Sequence, residues 1–185
     1  CHVNDLYIGA GVTFNYSGFE LGSYWIIDGS MNVFGTINEL GGTMGAIFTG
    51  SGTIGGTVPE IPFIAVSLTG TANYTLSSNI LMTGGANFFV ENNAVLDAGT
   101  YQISGPGDIA ILGKLFTAHP DGLFPGGTFL NFGSNIIGPA STIEYNSPGP
   151  QAFSNFTYNN VIINGGGTKT LAFGSPVING KLSLI

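Results

Sequence analysis

Few side chains in this chain can do chemistry. Its 185 residues include three lysines, no arginine, two histidines, ten acids and one cysteine. The most enzyme-like cluster is His119-Pro120-Asp121-Gly122, because an imidazole and a carboxylate two positions apart are the types needed for a general base and its orienting partner. The same four residues also spell a turn: Pro presets φ, Asp caps the turn and Gly accepts positive φ. The turn is the reading adopted, and His2, with no acid beside it in sequence, is assigned no role. No Ser, His and Asp arrangement sits on a nucleophile elbow. Catalytic residues are therefore assigned nowhere.

Binding chemistry leaves more candidates. For a cation such as Ca²⁺, the first carboxylates to inspect are Asp97, Asp108 and Asp121, although no Asp-x-Asn-x-Asp-Gly loop frames them. Structural Ca²⁺ is the one cofactor considered; otherwise none is expected. For sugars, exposed aromatic rings form stacking platforms, and Tyr24, Trp25 and Tyr158 are the candidates. Trp25 lies beside Ile26 and Ile27, which favours burial, and most of the 14 phenylalanines read as core. Thr69-Gly70-Thr71 and Thr168-Lys169-Thr170 are too isolated to form an ice-matching rank. The sequons at Asn15, Asn73 and Asn155 are no more frequent than chance gives in so Asn-, Ser- and Thr-rich a chain.

The composition then excludes whole classes of partner. With Lys114, Lys169 and Lys181 as the only basic side chains besides histidine, and a net charge of −7, the chain cannot neutralise a run of phosphates. Nucleic acid and anionic membranes are not expected partners. No apolar run approaches the roughly 18 residues that span a bilayer. Charged residues make up 7%, against about a quarter in an ordinary domain, yet 43% of residues are apolar and mean hydropathy is +0.36. A chain of that kind buries enough surface to fold. Cys1 has no partner cysteine, so it is a free thiol, a lipidated residue or an internal one.

The elements that must position these residues read as short strands. Val12 to Tyr16, Val33 to Ile37, Tyr101 to Ile103, Ile109 to Ile111, Ile143 to Tyr145 and Lys181 to Leu184 alternate with period two. Gly-containing turns separate them, among them Gly41-Gly42, Gly84-Gly85, Gly105-Pro106-Gly107 and Gly165-Gly166-Gly167. Gly35-Thr36-Ile37 recurs as Gly52-Thr53-Ile54, and Asn93-Ala94-Val95-Leu96 is echoed by Asn160-Val161-Ile162-Ile163. A period near 20 residues points to coils stacked along an axis. The fold class is accordingly all-β, a parallel β-helix or β-solenoid with Gly- and Asn-rich corners. About eight coils would span roughly 40 Å. Residues 1–185 form one such segment. Residues 54–79, with Val58-Pro59-Glu60-Ile61-Pro62, are expected to be irregular or to protrude.

From Asn92 to Leu184 the chain resembles the repeat regions of large secreted Bacteroidetes surface proteins, the adhesin-like cargo of the type IX secretion system. The resemblance rests on Asn93 to Tyr101, Gly113 to Leu123, Ser141 to Asn146, Thr157 to Asn164, Gly167 to Leu171 and Val177 to Leu184, and more loosely on Val3 to Gly41. It implies a β-solenoid in a longer extracellular or cell-surface protein, with no catalytic residues. The implied partners are neighbouring coils or domains of the same longer chain, surface glycans and the secretion machinery. A structural or adhesive segment is thus the expected function. The alternative is a carbohydrate-binding or polysaccharide-degrading β-helix. An eliminating enzyme of that kind needs a base and cations for uronate carboxylates, but the three lysines are far apart in sequence. A hydrolase needs paired carboxylates. Stacking of Asp97 on Asp108 is the pairing to test.

Overall fold

The computed structural model describes residues 1–16, 23–39, 44–57, 60–83, 85, 87–171 and 174–185. Among them every paired strand is parallel to its neighbours and no helix occurs. The longest sheet takes one strand from each of nine successive coils: Leu6–Ile8, Met31–Val33, Ser51–Gly56, Asn73–Leu76, Val95–Asp97, Lys114–Thr117, Thr142–Tyr145, Asn160–Ile163 and Leu182–Leu184. A seven-stranded sheet from His2–Val3 to Asn135–Ile137 forms a second face. Shorter sheets complete the coils, one of them stacking Glu60–Ile61, Ile80–Met82, Ile103–Ser104 and Phe129–Leu130. The chain is a β-solenoid, as its punctuation by Gly predicts.

Period-two alternation sends every second side chain inward, and the inter-coil register stacks those side chains into ladders. On the longest sheet Tyr74, Leu96, Leu115, Ile143 and Val161 succeed one another coil by coil, all fully buried. Ile27, Phe48, Leu68, Val90 and Ile111 do the same on the second face. Each rung removes apolar surface from water against the rungs above and below. A buried aliphatic side chain contributes about 1.5–3 kcal/mol in this way.

Corners need a different device. At several, a backbone N–H points along the axis with no strand opposite it, and a side-chain oxygen of the preceding coil accepts it. Asp5 accepts from Ser30 N (2.6 Å), Asn79 from Gln102 N (3.0 Å), Asn87 from Asp108 N (2.9 Å), Asp108 from Ser134 N (2.9 Å) and Asn160 from Lys181 N (3.0 Å). Asn and Asp suit the task because the side chain is short and its oxygen accepts strongly. Gly occupies corners where coils approach most closely: a Cβ at Gly113 would collide with the carbonyls of Glu91 and Ala94.

Within residues 54–79, expected to be irregular or to protrude, the described strands Glu60–Ile61, Ala65–Leu68 and Asn73–Leu76 stand in register in the stack. Residues 58 and 59 lie outside the described residues. Pro62 is tolerated because it follows the strand, where no ladder N–H is required. The irregular coil is the sixth: Lys114 pairs with Thr142, 28 residues on, whereas Thr142 pairs with Asn160 after 18.

Tyr74, Tyr145 and Tyr158 are among the phenols sealed into the stack. Tyr74 donates to Ile27 O (3.1 Å), two coils back, an excursion made easier by Gly52 opposite it. Tyr158 donates to Ser154 O (2.8 Å), which leaves its own oxygen to accept from Tyr145 (2.7 Å). Burial pushes Tyr74 and Tyr145 up to about 12, and burial with the adjacent Tyr145 pushes Tyr158 higher still. A raised phenol pKa stabilises the fold fully below the ordinary value of about 10 and loses that contribution as pH rises through the folded-state value. The thermal midpoint is therefore expected to hold to about pH 10 and fall from there to about pH 12 and beyond. A Tyr145→Phe, Tyr158→Phe double variant should show a smaller fall. Phenolate absorbance from all seven tyrosines at about pH 11, with far-UV dichroism unchanged, would contradict this.

Candidate functional site

The long sixth coil builds a surface cleft together with the seventh. After the strand Lys114–Thr117, His119-Pro120-Asp121-Gly122 forms the predicted turn, closed by Gly122 N donating to His119 O (2.9 Å). Gly122 has φ +74, and a Cβ there would also strike Ala152 O of the next coil. The chain then leaves the stack and returns: Thr128 N donates to Gly122 O (2.8 Å) and Phe129 N to Leu123 O (3.0 Å). A buried Thr117–Thr128 hydroxyl pair at 2.6 Å locks the base.

Neighbouring coils hold this excursion from both sides. From the fifth coil, Gln102 Nε2 donates to Gly126 O (3.0 Å) and Gly127 O (2.9 Å). From the seventh, buried Ser154 accepts from both Leu123 N (2.9 Å) and Phe124 N (3.1 Å), and Gln151 Nε2 donates to Thr117 O (2.8 Å). The loop is thereby fixed by side chains of the two flanking coils.

Against this frame lies a cleft of about 480 Å³, within the range of about 300–1,000 Å³ typical of small-ligand sites. Phenylalanines at 124, 129, 132 and 156 form its apolar surface. Phe124 stacks on Phe129 at 5.3 Å and 29°, and on Phe156 at 5.2 Å and 25°, while Phe132 meets Phe129 edge-on at 6.1 Å. Phe129 is buried and the other three are half-buried. The polar lining consists of the amides of Asn131, Asn135 and Asn155. Among the described residues no charged one lines it.

Asn135 occupies a position the register would give to an apolar residue. Its ladder runs Trp25, Ala46, Val66, Phe88, Ile109, Asn135. Its Oδ1 is buried and has no hydrogen-bond partner, an arrangement that costs about 1–3 kcal/mol. Asn131 adopts φ +65, a conformation that Asn tolerates better than other residues with a side chain.

The sequence-derived candidates fare differently. Trp25 and Tyr158 are buried, at 6% and 1% exposure, so they cannot serve as sugar platforms: Trp25 packs edge-on against Phe14 and Tyr158 is stacked on Phe153. Tyr24, one residue out of phase with Trp25, points outward and stays 41% exposed. Asp97 caps its own turn by accepting from Gly99 N (3.0 Å) and is stacked between Thr75 and Phe116, so the Asp97–Asp108 pairing does not form. Asp108 is a corner acceptor for the next coil. Asp121 is exposed, and His119 Nδ1 accepts from Asp121 N (3.2 Å), which turns that nitrogen's lone pair to the backbone and away from base chemistry. Among the described residues no three His, Cys, Asp or Glu side chains gather where they could hold a metal. The three acids are thus separate.

Sequence reasoning missed the phenylalanine cleft. A signal was there, three Phe within residues 124–132 interrupted by Pro, Gly and Asn, but it read as core. The chain matches no protein-family model, no curated protein and no solved structure.

Ser154 supports the cleft through two backbone donors at once. Ser154→Ala leaves the N–H groups of Leu123 and Phe124 without an acceptor and should lower stability by about 1–3 kcal/mol, read from the urea midpoint. Those two amides should also lose exchange protection. Unchanged protection at both would show that the hydroxyl does not hold the loop.

Proposed function

We propose that the chain is a structural and adhesive segment of a secreted or cell-surface bacterial protein, a stiff spacer that displays surface features and performs no catalysis. The observation that carries this reading is how the scarce charged groups are used. Asp5 and Asp108 accept corner amides. Asp28 is bonded to Thr49 and to His2, which holds its carboxyl below the usual range. Lys114 pairs with Glu144 at 3.0 Å, and Glu144 also accepts from Asn164 (3.0 Å). Lys169 donates to the carbonyls of Ser147, Gly166 and Gly149 at 2.6, 3.0 and 3.3 Å, so no N–H of its ammonium is left for a substrate. Groups that an enzyme would aim into a groove here stitch coil to coil.

The mechanics follow from this arrangement. Backbone hydrogen bonds run along the axis, apolar ladders exclude water, and each coil rests only on its neighbours. Leu182 continues the ladder of Val161. The low charge and the resemblance to secreted surface repeats support the extracellular placement, where surface glycans and secretion machinery are the partners.

The isolated segment should scatter X-rays as a rod about 40 Å long, from eight inter-coil steps of about 4.8 Å. Incubated with neutral and uronate polysaccharides, it should release neither reducing ends nor unsaturated products. Sustained turnover that is abolished by a single carboxylate or lysine substitution would overturn the reading.

A further inference from the structure

The phenylalanine cleft has the chemistry of a sugar site. A pyranose presents two kinds of surface: a face of C–H bonds and an equatorial rim of hydroxyls. Aromatic rings suit the first because their negative faces attract polarised C–H groups. Carboxamides suit the second because each offers two donors and an acceptor. Phe124, Phe132 and Phe156 supply half-buried rings, and Asn131, Asn135 and Asn155 supply the amides.

Two further features narrow the ligand. With no charged side chain among the described residues of the lining, a uronate or phosphate would lose its hydration with nothing to compensate it. A purely aliphatic ligand would cover the amides and leave them unpaired, at a cost. Asn135 points the same way: an amide stands in a ladder that is otherwise apolar, with one end already buried and unpartnered. Because that buried oxygen is closed to solvent, the Nδ2 end of Asn135 is the one a hydroxylated ligand would pair. The cleft is also fixed before any ligand arrives, because Ser154 and Gln102 hold its loop from the flanking coils. Preorganisation lowers the cost of binding.

We propose that this cleft binds a neutral pyranose residue of an extracellular polysaccharide, its C–H face on the phenylalanine rings and its hydroxyls on the amides of Asn131, Asn135 and Asn155. This rests on the adhesive part of the reading above and gives it a ligand class. It also moves the sugar platform from Trp25 and Tyr158 to the sixth coil.

The test is an NMR titration of ¹⁵N-labelled segment with cellobiose, maltotriose, xylotriose and mannotriose, and with trigalacturonate as the anionic comparison. At least one neutral oligosaccharide should produce saturable shifts in the side-chain amides of residues 131, 135 and 155. Asn131→Gly keeps the positive φ while removing the amide, and Asn155→Ala removes an exposed one; each should weaken binding about tenfold, the loss of roughly one hydrogen bond, with the thermal midpoint unchanged. Phe132→Ala should abolish the shifts. The proposal falls if no neutral sugar shifts these amides, if the shifts survive in Asn131→Gly and Asn155→Ala, or if trigalacturonate binds there more tightly. Such a failure would leave the rod dimension and the absence of turnover unaffected, so the two readings fail separately.

Discussion

Inter-coil register is the constraint on which the rest of this molecule depends. Every coil is held by two kinds of interaction that agree only at one alignment: the axial backbone ladder and the inward stack of apolar side chains. Because strand side chains alternate, slipping one coil by a single residue would turn its buried set outward. Tyr74 through Val161 show the constraint kept over five coils, although the number of residues per coil varies. Variation in length must therefore be absorbed at corners. Most of the described Gly residues lie there, and the Asn and Asp acceptors stand at or beside the strand ends.

This division explains the unusual composition. Strand faces need only alternation, and corners need small residues and short acceptors, so neither requires many charges. Several of the few ionisable groups serve as cross-links, as in the Lys169 ammonium that ties together turns of successive coils. Where one coil is long, as the sixth is, the surplus chain must leave the stack without breaking register. It does so by closing on itself at Gly122 and Thr128 and borrowing Ser154 and Gln102 from its neighbours. A cleft results from the same rule that keeps the other coils regular.

Much of the architecture was legible in the sequence, because alternation and Gly punctuation are local signals. The HPDG turn was legible for the same reason. What was not legible depended on register, which is a long-range property. Apolar neighbours already favoured burial of Trp25, but nothing local says that Asn135 stacks on Ile109 or that Tyr158 is sealed inside; each follows from the phase of a strand relative to other coils. The regular strands described within 54–79 have a related cause: Pro62 looked disruptive, but it follows a strand and removes no ladder hydrogen bond.

Register itself can be measured directly. With Cys1 replaced by Ser, pairs of spin labels at Asn160 and Asn73, and at Asn160 and Ser51, sit on one outward column four and five coils apart. Pulsed dipolar spectroscopy should give backbone separations of about 19 and about 24 Å, one inter-coil spacing of about 4.8 Å apart. A 51–160 distance equal to or shorter than the 73–160 distance would contradict the stacked-coil account.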